Sequence, residues 1–527
     1  MLRVGTIDLR LDRRARRADP SAWSATSTRG ALASAHYLAS DAGRAMLEQG
    51  GNAVDAAVAA AYALAVCEPA ASGLGGMGAA VVHDAAQNTT WMLDGACRAP
   101  HAATPEAVRG SDRYRGHRSV ALPTAPALLE RLRERHGRLP LSRLLEPAIG
   151  IARAGFAISP LQHELIGRYR EALAAHNAAA LFLDPQGQPL PVGHVLRQPE
   201  LATTLQRLAE KGVADFYLGD IGRQICRDME CHGGFLGPKD MAAIPWPRQC
   251  RPLWVPFGDH QLCTTGPPTG GLTLAQLSRL WTETGTALNP DVPGDALWLA
   301  AMIRRARRDR RRYRLDIGSS SLGAAAALLS TDHASQAIED LRHELGGGET
   351  THIAAMDAKF AISLTLSIER SFGSACLADG LGFLYNGYLR AFKIESTAHP
   401  HFLRPGAVAR SNAAPTLVFD DVGPWAALGS TGSERIASGI FLTLAHLQHK
   451  SPFQAVAAPR LHASPDGELL IEQARMARPC LQLLERFFEL RDVGPYAFRM
   501  GGLQLVVRAG GTWTAVADPR RDGAACI

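Results

Sequence analysis

The run from Asp55 to Cys67 (DAAVAAAYALAVC) constrains this chain most. It is alanine, valine and leucine on nearly every face, so a helix made from it has no side to offer water. Such a helix must be covered all round, which requires a domain of stacked layers. The 527 residues can build those layers without disulfide or metal staples. With 46% hydrophobic and 20% charged residues, the composition is that of a globular protein.

Periodicity extends the reading in both directions. Ser40 and Asp41 are expected to cap a helix that runs through Gln49 and stops at Gly50 and Gly51. Strand-like stretches follow at Ala79–His83 and Thr90–Leu93, and amphipathic helices at 125–136, 142–154 and 199–210. Leu272–Thr282 and Ala296–Arg312 also read as helices, while the proline-rich stretches 184–191 and 244–256 read as loops. Residues 1–29, arginine-rich and aperiodic, form a poorly ordered lead-in. Residues 318–349 are small, polar and glycine-rich, the composition of a flexible exposed hinge. Beyond it come strands at Thr351–Met356, Phe360–Ile368, Thr416–Phe419 and Trp425–Gly429, a helix at Ile436–His449, and closing strands at Glu468–Ile471 and Leu503–Val507. Periodicity alone therefore supports an α/β or α+β fold in one large domain, without internal repeats.

Several classes are excluded. A net charge of +6 is too mild for a nucleic-acid binder of this size. The run of arginines between Arg304 and Arg314 holds one aromatic, Tyr313, and no nucleic-acid motif, and reads as a helix with a solvated cationic face. The nine cysteines are odd in number, scattered and without C-x-x-C spacing, which predicts free thiols of a reducing compartment and no metal site. The N-terminus has no apolar core of seven residues, and no 18-residue apolar stretch exists, so neither a secretory signal nor a membrane span is expected. The expected location is cytoplasmic; a start codon placed elsewhere would admit the periplasm.

Three motifs carry chemistry or its imitation. Gly73-x-Gly75-x-x-Gly78 has the dinucleotide spacing, but a helix precedes it and a strand follows. That order is reversed, so close backbone packing is the better account. Gly429-Ser430-Thr431-Gly432-Ser433 lies between a strand and a helix; its outward N–H groups suit either an oxyanion hole or an ordinary turn. Glu349-Thr350-Thr351-His352 follows the glycines. Should the bond before Thr350 break, the freed α-amine, titrating near pH 8, can take the hydroxyl proton. A threonine-rich strand start is the alternative.

Read together, the segments decide more. Residues 33–69 (ASAHYLASDAGRAMLEQGGNAVDAAVAAAYALAVCEP), SGLGGMGAAVV, LDGACRAPHAATPE, GPPTGGLTLAQL, TTHIAAMDA and GSTGSERI, in this order, resemble the γ-glutamyltranspeptidase family over roughly residues 30–515. The resemblance implies an α+β fold of four layers, the αββα sandwich of N-terminal-nucleophile hydrolases. It implies autocleavage between Glu349 and Thr350, giving a large part (30–349, after the lead-in) and a small part (350–527) that stay associated. Thr350 would be the nucleophile, with backbone donors at Gly432 and Ser433 and no cofactor. The substrate would be a small-molecule amide, resolved by water or an amine acceptor, with no nucleic-acid or membrane partner.

The substrate-binding positions depart from the family. The carboxylate-binding arginine maps to Ala96, leaving Arg98 as the nearest candidate. The helper threonine and asparagine map to Ser367 and Glu369. The acidic pair that grips the α-amino group maps to Tyr388 and Ala391, and the serine pair to Ser411 and Asn412. Two substrate readings compete: a γ-glutamyl compound such as glutathione, or another acyl group, as in acylase-type, oxamate-type or natural-product members. An uncleaved, non-catalytic scaffold is the reading from a different class.

Overall fold

The computed structural model describes residues 21–527 except 22, 109–110, 313–349, 395–396, 398, 400 and 466. The whole of the expected glycine-rich hinge, Glu349 included, lies outside the described residues, as do residues 1–20 and 22 of the expected lead-in.

Two seven-stranded sheets form the centre. One runs Ser24–Ser27, Thr512–Ala517, Leu503–Ala509, Gly423–Ser430, Thr416–Asp420, His260–Thr264, Leu253–Phe257. The other runs Ala524–Cys526, Gly30–Ser34, Thr351–Asp357, Phe360–Ser367, Met77–Asp84, Thr89–Gly95, Arg248–Cys250. All pairings within both are antiparallel. Successive side chains of a strand point to opposite faces, and the burial follows that rule. Ile353 and Ala355 face a helical layer, whereas Ala354 and Met356 face the other sheet together with Leu417, Ala427 and Val506. The apolar helix spans Ala53–Cys67, and each of its residues is buried. Tyr37–Glu48 and Leu141–Ala154 pack on it from outside the second sheet. Gly271–Glu283, Pro293–Arg312 and Ile436–Leu447 cover the first sheet. The result is the four-layer αββα sandwich.

Local chemistry explains the element ends and several departures. Asn52 caps the apolar helix, accepting from the Val54 and Asp55 N–H groups at 2.9 and 3.0 Å, while Asp55 accepts from the Asn52 N–H at 2.9 Å. Tyr37–Glu48 is capped by the His36 side chain, not by Ser40 or Asp41. The Ser40 hydroxyl is committed to tertiary bonds with Ser34 (2.7 Å) and the Ala524 carbonyl (2.6 Å). The 244–256 stretch is not all loop: Arg248–Cys250 and Leu253–Phe257 are edge strands of different sheets, and Pro256 is tolerated at an edge. Within the expected lead-in, Ser24–Ser27 pairs with Thr512–Ala517 and Trp23 is buried. The last two strands, Thr512–Ala517 and Ala524–Cys526, are too short or too mixed in pattern to read from sequence.

The glycine-rich turn is a packing device. A Cβ on Gly75 would meet the Leu384 carbonyl oxygen at 2.2 Å, and one on Gly76 the Ser367 carbonyl oxygen at 2.5 Å. No helix of the described residues is long and apolar enough to cross a membrane. All nine cysteines are free thiols, most of them buried.

Candidate active site

Thr350 immediately precedes the Thr351–Asp357 strand, which lies inside its sheet between Gly30–Ser34 and Phe360–Ser367. Thr351 pairs with Leu366, so the antiparallel register sets Thr350 opposite Ser367. The strand is held rigidly at this end. The Thr351 hydroxyl donates to Glu68 at 2.6 Å, and the His352 ring bonds Thr365 at 2.9 Å. His352 is wholly buried against Gly429 of the opposite sheet, and burial pushes its pKa down to about 3, so it is neutral.

Thr350, Ser367, Glu369, Tyr388, Ser411 and Asn412 line one cavity, joined by Ala391, Arg390 and Arg410. Thr350 is 8% exposed. The Ser367 hydroxyl accepts from the Glu369 N–H at 2.9 Å, which leaves its own proton free to point elsewhere. Glu369 adopts φ +83° there, a conformation that costs energy in a non-glycine residue. Its carboxylate takes the Arg390 guanidinium at 3.0 Å. Burial pushes the Glu369 pKa up, against the pull of Arg390, Arg370 and Arg115. The Tyr388 phenol is held protonated by burial; Ser367 and Ser411 oppose this by hydrogen bonding. Asn386, fully buried, fixes this segment by donating to the Gly75 and Ala121 carbonyls at 2.7 and 2.8 Å and accepting from the Tyr388 N–H at 2.9 Å.

Ser411 and Asn412 rest on the Gly266–Gly271 loop. The Ser411 N–H donates to the Pro268 carbonyl at 3.1 Å, and a Cβ on Gly270 would meet the Asn412 carbonyl oxygen at 2.3 Å. The arginine run also reaches this site, contrary to the solvated face expected of it. Arg304, Arg307 and Arg310 are buried; Arg307 pairs with Glu434, and Arg310 donates to the Ser411 carbonyl at 3.1 Å. Long aliphatic stems with a charged tip permit this burial once carbonyls and carboxylates meet the tip.

Arg98 is not brought to the cavity. Its guanidinium donates to the Trp246 carbonyl at 3.3 Å, and its backbone bridges Leu122 and Val408. Gly432 has φ +104° and Ser433 opens a short 3-10 turn that leads into Ile436–Leu447. The turn is anchored through Thr431, whose N–H donates to the Gly502 carbonyl at 2.9 Å and whose hydroxyl accepts from the Gly502 N–H at 2.7 Å. Sequence reasoning missed Arg390 and Arg410. The only signal was position, since each adjoins a residue already mapped to substrate binding. It also missed His117, which the fold brings to Asp228 and His232, themselves four residues apart, so that the three ligand atoms lie within 4.8 Å of one another. The two rings stack at 4.4 Å and 10°, and Asp228 also accepts from the Tyr385 hydroxyl at 2.8 Å. In nearly parallel planes the ring lone pairs do not converge on one ion.

Stacked antiparallel sheets between helical layers, with a threonine opening an interior strand beside a polar cavity, define the N-terminal-nucleophile hydrolase class. The sequence profile of the Gamma-glutamyltranspeptidase family matches residues 39–527, and the chain belongs to that family. It is 28% identical over 541 residues to a glutathione hydrolase proenzyme of Bacillus subtilis (strain 168), covering 94% of this chain and 91% of that protein. A glutathione hydrolase proenzyme of Pseudomonas aeruginosa is 29% identical, with 97% and 96% covered. Among solved structures, cephalosporin acylase from Bacillus halodurans shares the fold at TM-score 0.86 and 24% identity, over 95% of this chain and 96% of that one. The chain is thus an N-terminal-threonine hydrolase or transferase of the γ-glutamyltransferase type.

Proposed function

We propose that the chain cleaves itself between Glu349 and Thr350 and then hydrolyses or transfers the acyl group of a small amide through an acyl-Thr350 intermediate. The observation that carries this is the placing of Thr350 at the mouth of an interior strand, opposite Ser367 and within the cavity of Ser411 and Asn412. The free α-amine takes the Thr350 hydroxyl proton as Oγ attacks the carbonyl carbon. The Ser367 hydroxyl orients the nucleophile, and the Gly432 and Ser433 N–H groups receive the developing oxyanion. The proton passes to the departing amine, and water or an acceptor amine then releases the acyl group. Because both sheets contain strands from either side of residue 350, the fragments remain one body after cleavage.

The glutathione hydrolase relatives support a γ-glutamyl compound of the glutathione kind as substrate. The test is end-group analysis with activity on a γ-glutamyl anilide. Wild type should show a new terminus at Thr350 and Thr350→Ala should stay uncut and inactive; normal processing of that variant would refute the assignment.

One observation favours altered acyl specificity. Among the described residues, Glu369 is the single carboxylate lining the polar cavity that Thr350 shares with Ser411 and Asn412, and Arg390 already occupies it. A substrate ammonium has no dedicated partner, since Tyr388 and Ala391 stand where the family's acidic pair falls. A narrow apolar cavity lined by Phe156, Leu161, Leu165 and Phe182 also reaches Thr350. On this reading a glutaryl anilide, which lacks the ammonium, is cleaved faster than the γ-glutamyl anilide. Ala391→Asp should reverse the preference by about tenfold, the worth of one charge-assisted bond. A wild-type preference for the γ-glutamyl compound would restore the glutathione-like reading.

A further inference from the structure

Outside the nucleophile cavity lies a second one of about 570 Å³, and the two share Glu369, Arg390, Arg410 and Asn412. Among the described residues its wall carries eight arginines against three glutamates and no lysine or aspartate. The arginines come from separate parts of the chain: Arg168 ends the Pro160–Arg168 helix, Arg491 lies on the Glu489–Asp492 strand, and Arg499 lies in a 3-10 turn. Acidic partners neutralise the wall only in part: Arg390 and Arg491 pair with wall glutamates and Arg168 with Glu164 outside it, against eight guanidinium groups in all. Glu369 is bound by Arg390, Glu434 by the buried Arg307 from behind, and Glu468 by Arg491 at 2.9 Å. Arg115 is pinned in place by the Ser371 and Gly373 carbonyls at 2.9 and 2.6 Å. Burial and then Arg370 lower the Arg115 pKa, and burial and then Arg390 lower that of Arg370, so the guanidinium groups work against one another. Holding like charges together costs energy, and an anion that enters between them recovers it.

The geometry points to this outer cavity as a binding site for the amine-side portion of the substrate, and to that portion carrying two or more anionic groups, carboxylate or phosphate. The inference rests on Thr350 acting as nucleophile: with the acyl group at Thr350, the departing amine is directed into the arginine-lined space. Planar guanidinium forks suit carboxylate and phosphate oxygens alike.

Calorimetry on the Thr350→Ala chain reads binding without any need for turnover. Citrate should bind at least tenfold more tightly than acetate and weaken about tenfold between 50 and 500 mM salt, as screened charge pairs do. Inorganic phosphate, as the second probe, assigns the preferred oxyanion: tighter binding than citrate makes the site a phosphate site, weaker binding a carboxylate site. Arg168→Gln with Arg499→Gln should weaken citrate about tenfold at an unchanged melting temperature. Equal binding of citrate and acetate, or no response to the double substitution, overturns the proposal. In turnover, anilides bearing zero, one and two ring carboxylates, matched in amine basicity, should rise in kcat/KM with charge. A flat series from an active enzyme also overturns it. Inactivity on every anilide would instead defeat the Thr350 reading, and calorimetry would still decide the cavity.

Discussion

His352 shows how much a single residue settles. Its ring fills the place that a side chain on Gly429 would take: a Cβ there would lie 2.4 Å from the imidazole. Gly429→Ala should therefore cost about 1–3 kcal/mol, the usual penalty for overpacking, read as a lower urea midpoint. The same burial gives a pH dependence. The folded pKa is about 3 against an ordinary 6.5, so the unfolded chain takes up a proton first as pH falls. The stabilising contribution is complete above pH 6.5 and is lost on the way down towards pH 3, by about 1.4 kcal/mol per pH unit. Urea midpoints between pH 7.5 and 5 should fall in wild type, and His352→Gln should flatten that fall. Catalysis runs on a different proton. If the Thr350 α-amine is the base, kcat/KM should climb through roughly pH 8, and a profile that is flat from pH 6 to 9 would argue against it.

At the scale of elements, two devices carry much of the order. The first is the cap of the Ala53–Cys67 helix. Asn52 accepts from two N–H groups and donates to the His136 carbonyl at 2.6 Å. Asn52→Ala should cost about 1–2 kcal/mol, measurable by chemical denaturation. The second joins the C-terminal segment to the helices and hairpin of residues 452–475. Arg520 is fully buried and binds Glu472 at 2.9 Å and Asp518 at 3.1 Å, and Arg460 binds Asp518 as well. Burial alone would raise Asp518, but Arg460 and Arg520 outweigh it and hold its pKa at about 2. Arg520→Met leaves Glu472 to Arg475 and Asp518 to Arg460, each with one buried partner fewer, and should cost about 3–5 kcal/mol. Adding Glu472→Gln and Asp518→Asn should not recover it, because Arg475 and the buried Arg460 would then lose their carboxylates.

For the molecule as a whole, the interleaving of strands is decisive. The central strand Thr351–Asp357 pairs with Gly30–Ser34 on one side, and Phe360–Ser367 pairs with Met77–Asp84. The opposite sheet likewise joins His260–Thr264 to Thr416–Asp420. Cleaved material should therefore elute as a single species under native conditions and give two bands only after denaturation. It should also unfold in one transition, because neither fragment holds either seven-stranded sheet complete. Two native species, or two separate transitions, would contradict this.

The sequence by itself determined what depends on short-range pattern. The apolar helix, the amphipathic helices at 125–136 and 199–210, the two strands that follow Thr350 and the turn before Ile436 all follow from periodicity and capping within a few turns of chain. The family motifs added the stacking of the layers and the place of the candidate nucleophile. What only the tertiary structure decided depends on partners distant in sequence. Arg304, Arg307 and Arg310 read as a solvated face because their acceptors, Phe488, Glu434 and the Ser411 carbonyl, lie more than a hundred residues away. Arg98 looked like a substitute clamp by spacing, yet the local strand geometry turns it to Trp246. Arg390 and Arg410 carry no motif and gain their meaning from the cavity they share with Thr350. Charge becomes chemistry only where the fold fixes which group it faces, and that pairing is a property of three-dimensional proximity.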